Sequence, residues 1–209
     1  MIHNLGKLSR RCGLVAGAAA LCFALAASGP PARSQSADGP QYAPDGNLLL
    51  PAGIDTWVFV GSSLGLSYTR ASAKAASATP ESEHPPSFHN VSINRAGYET
   101  FLATGRFPDG TMLAMQVFEP VEKKPKNVLS RGAFNGRRIA VEVAVKNTAR
   151  PDGQKTPWAY YDFSNPSDPS RLRASAAAFP DVDCANCHLH HASTDYVWVQ
   201  FYPVLRDRR

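Results

Sequence analysis

Arg138-Ile139-Ala140-Val141-Glu142-Val143-Ala144-Val145-Lys146 alternates residue by residue, with Ile139, Val141, Val143 and Val145 on one side. Successive side chains leave a strand on opposite faces, so a two-residue period marks a strand with one face against a core. Working outward, Pro108-Asp109-Gly110 is a strong turn signal, and residues 111–118 follow it as a strand. Residues 96–104 have helical character ended by Gly105, and residues 89–94 read as a second short strand. Trp57-Val58-Phe59-Val60 reads as a strand entering a Gly/Ser turn at residues 61–63. Residues 71–87, rich in Ala, Ser, Glu and Pro, form a long excursion. On the other side, residues 158–163 are an aromatic strand and residues 197–202 close the chain in extended form. Strands joined by short turns, with few helices, predict an α+β fold that is predominantly antiparallel sheet.

The chemistry sits near the C-terminus. Cys184-Ala-Asn-Cys187-His188 has the spacing by which a c-type haem is attached. Two thiols add across the two vinyl groups on one porphyrin edge, and the adjacent His reaches the iron from one face. The motif is expected to open a short helix. Of the four cysteines, Cys12 and Cys22 lie in a disposable-looking N-terminal segment. The remaining two belong to the motif and leave no disulfide framework to explain them. The alternative is half of a zinc site completed by His190 or His191, but no second ligand pair is spaced for it. One covalent haem c, held by Cys184 and Cys187 with His188 on the iron, is the expectation.

Residues 1–34 read as a secretory signal peptide. Lys7, Arg10 and Arg11 precede an uncharged, mostly apolar run over residues 12–27, and Ala24-Leu25-Ala26 or Ala32-Arg33-Ser34 is the candidate small-residue cleavage site. Sixteen apolar residues ending in Ser-Gly-Pro-Pro are short for a membrane span of about 20, so no permanent anchor is expected and the destination is periplasmic. Taking the segment's Lys7, Arg10, Arg11 and Arg33 from the chain's 22 Lys and Arg leaves 18, against 17 Asp and Glu. The formal +5 of the whole chain therefore describes the export signal and does not predict nucleic-acid binding. A basic cluster remains at Lys123, Lys124, Lys126, Arg131, Arg137 and Arg138, read either as a solvated loop or as a dock for an acidic redox partner protein. After a polar leader over residues 35–47, residues 48–209 suit one haem domain with a sizeable core.

This strand content excludes helical-bundle cytochromes. The small electron-transfer cytochromes carry an axial Met downstream of the motif, but no Met follows His188, and the methionines beyond the signal are Met112 and Met115. Trp57-Val58-Phe59-Val60-Gly61, Thr104-Gly105-x-Phe107-Pro108-Asp109-Gly110-Thr111, the haem motif, and Phe201-Tyr202-Pro203-Val204-Leu205-Arg206 together resemble the cytochrome P-460 family. The resemblance runs from about Leu48 to Arg206. It implies an antiparallel β fold, often homodimeric, with one c-type haem, His188 proximal, and a distal face that is open or capped by apolar side chains.

Members that oxidise hydroxylamine carry a lysine cross-linked to the porphyrin. By spacing from Asp109-Gly110-Thr111 that lysine falls at position 115, which here is Met115. The departure moves the resemblance toward the c′-beta members, which bind nitric oxide and carbon monoxide. Thr111, Leu113 and Met115 share one strand face by the two-residue period, and the resemblance turns that face toward the haem edge. Met115 is then an axial ligand or core filler, and Phe88 and Phe107 cap the distal pocket or belong to the ordinary core. A distal role for His84 or His89 is a further alternative. Arg206 pairs with a propionate or with a surface carboxylate. Three functions follow from these features. The leading one is a small-ligand haem protein with five-coordinate iron; the others are a hydroxylamine or small-nitrogen oxidoreductase and an electron carrier.

Overall fold

The computed structural model describes residues 39–66, 86–122, 132–150 and 152–207. The signal segment, most of the 71–87 excursion with His84, and Lys123, Lys124, Lys126 and Arg131 lie outside the described residues. Five strands form one antiparallel sheet in chain order: β2 (Val58–Leu64), β3 (Phe88–Ile93), β4 (Met112–Glu122), β5 (Ala133–Lys146) and β6 (Trp158–Asp162). A second, two-stranded sheet pairs β1 (Leu48–Leu49) with β7 (Ser175–Ala176). The helices are α1 (Arg95–Thr104), α2 (Ala185–His191) and α3 (Pro203–Arg206), with 3₁₀ turns at Ile54–Thr56 and Val199–Phe201. The α+β expectation holds, with the sheet dominant. Among the described residues no helix is long and apolar enough to cross a membrane.

The β5 alternation works as read over its second half. Val141, Val143 and Val145 are buried with Met112, Ala114 and Tyr161 in a cluster on one face of the sheet. Ile139 does not join them. Val117 pairs with Ala140 but the next residue, Phe118, pairs with Arg138, so Ile139 falls in a bulge. The other face carries a second cluster, in which Ile93, Leu113 and Trp158 meet Phe101 from α1 and Val197, Val199 and Leu205 from the C-terminal segment. Burying one such side chain stabilises the fold by about 1.5–3 kcal/mol.

Two local readings change. The Gly/Ser turn expected at 61–63 is absent, because β2 continues through Gly61 to Leu64 with a bulge between Phe59 and Gly61. Gly61 serves close approach: a Cβ there would stand 2.9 Å from Tyr202 Cδ1 and 3.2 Å from the Phe201 carbonyl oxygen. The extended ending expected over residues 197–202 is instead a 3₁₀ turn followed by α3, which Pro203 opens. Curling the chain here buries Leu205 completely and lays Tyr202 on Gly61. Other elements agree with the sequence. Gly105 ends α1 at φ 75°, a left-handed position that favours glycine. The Thr111 N–H closes the Pro108–Gly110 turn on the Pro108 carbonyl at 3.1 Å.

Candidate haem site

The motif forms the first turn of α2. Cys184 is its N-cap, and the His188 N–H donates to the Cys184 carbonyl at 3.1 Å. Spacings of three and four residues put Cys187 and His188 on the same side of the helix as Cys184. Ala185 is fully buried and seats the helix, while both cysteines remain free thiols. Burial pushes the Cys184 thiol up to about 12, helped by the nearby charges of Glu142 and Asp183. Burial raises Cys187 as well. The pair is therefore held as neutral, protonated thiols.

A charged hub fixes the approach to α2. The Arg150 guanidinium, with 2% of its side chain exposed, lies 2.6 Å from Asp181 Oδ1 and 2.5 Å from Asp152 Oδ2. Asp181 also accepts from the Thr156 hydroxyl at 2.8 Å and the Thr156 N–H at 3.0 Å. Its own carbonyl accepts from the Asn186 N–H at 3.0 Å, inside the motif. Burial opposes ionisation of the Asp181 carboxyl, but the Thr156 and Arg150 donors prevail and hold it below the usual carboxylate range.

The His188 imidazole is neutral, because burial lowers its pKa despite the opposing backbone hydrogen bond. Nδ1 lies 2.7 Å from the Tyr196 carbonyl oxygen. A carbonyl only accepts, so Nδ1 carries the proton and the Nε2 lone pair points away. That lone pair accepts from the Trp198 indole N–H at 3.3 Å. The Tyr160 ring lies 4.6 Å from the imidazole at a 46° tilt, and the Trp198 ring meets it edge-on at 5.3 Å.

Tyr196 sits in an unusual turn. Thr194 and Val197 bridge each other around Asp195 and Tyr196, both of which have positive φ, 46° and 63°. Hairpins with two such central residues normally use Asn-Gly, and a bulky residue held there costs of order 1–3 kcal/mol. Gln200 braces the base of the turn, accepting from the Ser193 N–H at 2.9 Å and donating to the His191 carbonyl at 2.8 Å.

The sheet face behind the motif is set by register. One row across it runs Val91, Met115, Glu142, and the next runs Ile93, Leu113, Ala144, Tyr160. Leu113 and Met115 thus share the face of the second cluster, as expected, whereas Thr111 is buried in the turn before β4. Phe107 is buried, stacked on Phe101 at 4.1 Å and edge-on to Trp158 at 5.8 Å. Phe88 opens β3 and by alternation faces away from Val91 and Met115, whereas His89 shares their side. The His89 Nε2 and the Ser87 hydroxyl are 3.0 Å apart. Arg206 pairs with the neighbouring Asp207 at 2.8 Å on the surface. The sequence reading missed Tyr160, Asp195, Tyr196 and Trp198. Tyr160 is visible as an alternate position of the aromatic strand, but positive φ at Asp195 and Tyr196 leaves no mark in residue type.

The donor set fits a haem. Two neutral thiols and a neutral imidazole whose Nε2 acts as an acceptor stand on one helical turn. The Tyr160 hydroxyl beside them is buried without a hydrogen-bond partner among the described residues. Burial raises the pKa of that phenol, with the Cys184 and Cys187 sulfurs adding to the effect, so it keeps its proton. Among the described residues no group of three His, Cys, Asp or Glu side chains is placed to hold a metal ion, which leaves the zinc alternative without its second half there.

The sequence model of the family described as Cytochrome P460 matches residues 66–199, well over half of the chain. This chain belongs to the cytochrome P460 family. The match spans β3 to β6, the Cys184–His188 motif and the Asp195–Tyr196 turn, and it makes haem the cofactor. No curated protein matches the chain.

Proposed function

We propose that this cytochrome P460 family member is an exported, periplasmic mono-haem c-type cytochrome that binds small neutral ligands such as nitric oxide or carbon monoxide. The observation that carries the reading is the neutral His188 on the turn that bears both thiols, with Nδ1–H on the Tyr196 carbonyl and Nε2 left as the acceptor. Cys184 and Cys187 would hold the porphyrin edge as thioethers, and His188 Nε2 would take the iron in place of the Trp198 N–H. When bound, the haem supplies an iron with one position for an exogenous ligand. The chain's part is to orient the imidazole, keep it neutral and present Leu113 and Met115 from a sheet face that also carries Glu142 and the Tyr160 hydroxyl. Where Leu113 and Met115 form the wall beside a bound ligand they offer no hydrogen bond to dioxygen, which suits nitric oxide and carbon monoxide better.

Met115, where the resemblance expects the cross-linking lysine, supports a likeness to the c′-beta members and counts against hydroxylamine oxidation. Absorption spectra of the purified ferrous protein, with and without carbon monoxide, test the reading. An ordinary high-spin c-haem spectrum that carbon monoxide converts directly is expected. A red-shifted Soret band, or a haem peptide joined to a lysine, would favour the hydroxylamine oxidoreductase instead.

A further inference from the structure

We propose that Asp195 is the positioning residue for the proximal ligand, fixing the direction and strength of the hydrogen bond that His188 makes to the Tyr196 carbonyl. The inference rests on His188 being the iron ligand. Lys146 at the end of β5 and Trp158 at the start of β6 are directly paired across the sheet. The Asp195 carboxylate spans that pair, accepting from Lys146 Nζ at 2.5 Å on one oxygen and from Trp158 Nε1 at 3.3 Å on the other. Both partners are sheet-borne, and Trp158 is fully buried, so the carboxylate is anchored to the five-stranded sheet.

Asp195 is also the first of the two positive-φ residues, and the second is Tyr196, whose carbonyl takes the His188 proton at 2.7 Å. An Asp is among the few residues that accept a left-handed backbone, whereas a Tyr is held there by its surroundings. The anchor therefore dictates where the Tyr196 carbonyl points. That carbonyl in turn fixes the imidazole's tautomer and its basicity as a ligand.

Resonance Raman spectra of the ferrous holoprotein, with redox titration, test the role. Asp195→Ala and Lys146→Met should lower the iron–histidine stretching frequency and raise the midpoint potential, since a weaker Nδ1–H bond makes a less basic ligand. Lys146→Arg should restore wild-type values. Val143→Ala, a core substitution in the cluster on the opposite face of the sheet, should lower thermal stability without moving either. An unchanged frequency and potential in both Lys146→Met and Asp195→Ala would overturn the positioning role while leaving the haem reading intact. Equal shifts in Val143→Ala would overturn it too, by reducing the effect to general loosening. A high-spin ferrous wild-type spectrum lacking any iron–histidine band would overturn both the role and the ligation beneath it.

Discussion

At the scale of the residue, Gly61 and Met115 carry different kinds of information. A glycine before two serines looks like a turn, but its use here depends on a segment about 140 positions later in the chain, which only the fold brings near. A methyl group at Gly61 meets the Phe201 carbonyl, which is backbone, so it cannot be relieved by rotating a side chain. Gly61→Ala is expected to cost about 1–3 kcal/mol, read as a lower Tm; an unchanged Tm would remove the close-approach account. Met115 was legible because a missing lysine is a fact of residue type. It packs with the second cluster, paired with Val91 on one side and Glu142 on the other. Met115→Leu conserves that packing and should leave the resting spectrum nearly unchanged. A low-spin spectrum that turns high-spin in the variant would make Met115 an axial ligand and the protein an electron carrier.

Among the elements, those whose signals are local were readable. The α1 segment has an apolar side and a glycine stop, and Pro108-Asp109-Gly110 turns the chain into β4 wherever it occurs. Phe101 is the anchor of α1, 1% exposed and stacked on Phe107. Phe101→Ala should cost about 3–5 kcal/mol, measured by denaturant unfolding; a loss under 1 kcal/mol would mean α1 is not packed as described. The C-terminal segment misled for a physical reason. Val197, Val199 and Phe201 have the residue types and period of a strand, but Leu205 and Tyr202 reach the core only if the chain curls first. Burial overrode propensity there, whereas at Ile139 a register shift between β4 and β5 breaks the alternation.

For the whole molecule, charge ties the loops to the site. Asp181 links Arg150, Thr156 and the first turn of α2. Its folded pKa lies below the ordinary carboxylate value, so its contribution is fully present above the unfolded pKa of about 3.9 and is lost as pH falls through the lower, folded value. Asp181→Asn should therefore lower stability by about 2 kcal/mol near neutrality, and the difference from wild type should shrink steadily below pH ~4. A difference that persists undiminished into strong acid would show that the carboxylate's charge is not what matters. The proposed haem motif stands out in the sequence because covalent attachment would fix its spacing, whereas the Asp195–Tyr196 turn and the buried Tyr160 hydroxyl emerge from long-range placement.

The central claim is that one haem is attached covalently at Cys184 and Cys187. Intact mass spectrometry of the purified protein after acid–acetone extraction tests it most directly. The account predicts the mass of the polypeptide plus one haem, with the colour retained by the protein and lost in Cys184→Ala/Cys187→Ala. A polypeptide mass without haem, or colour that extracts into the solvent, would contradict it.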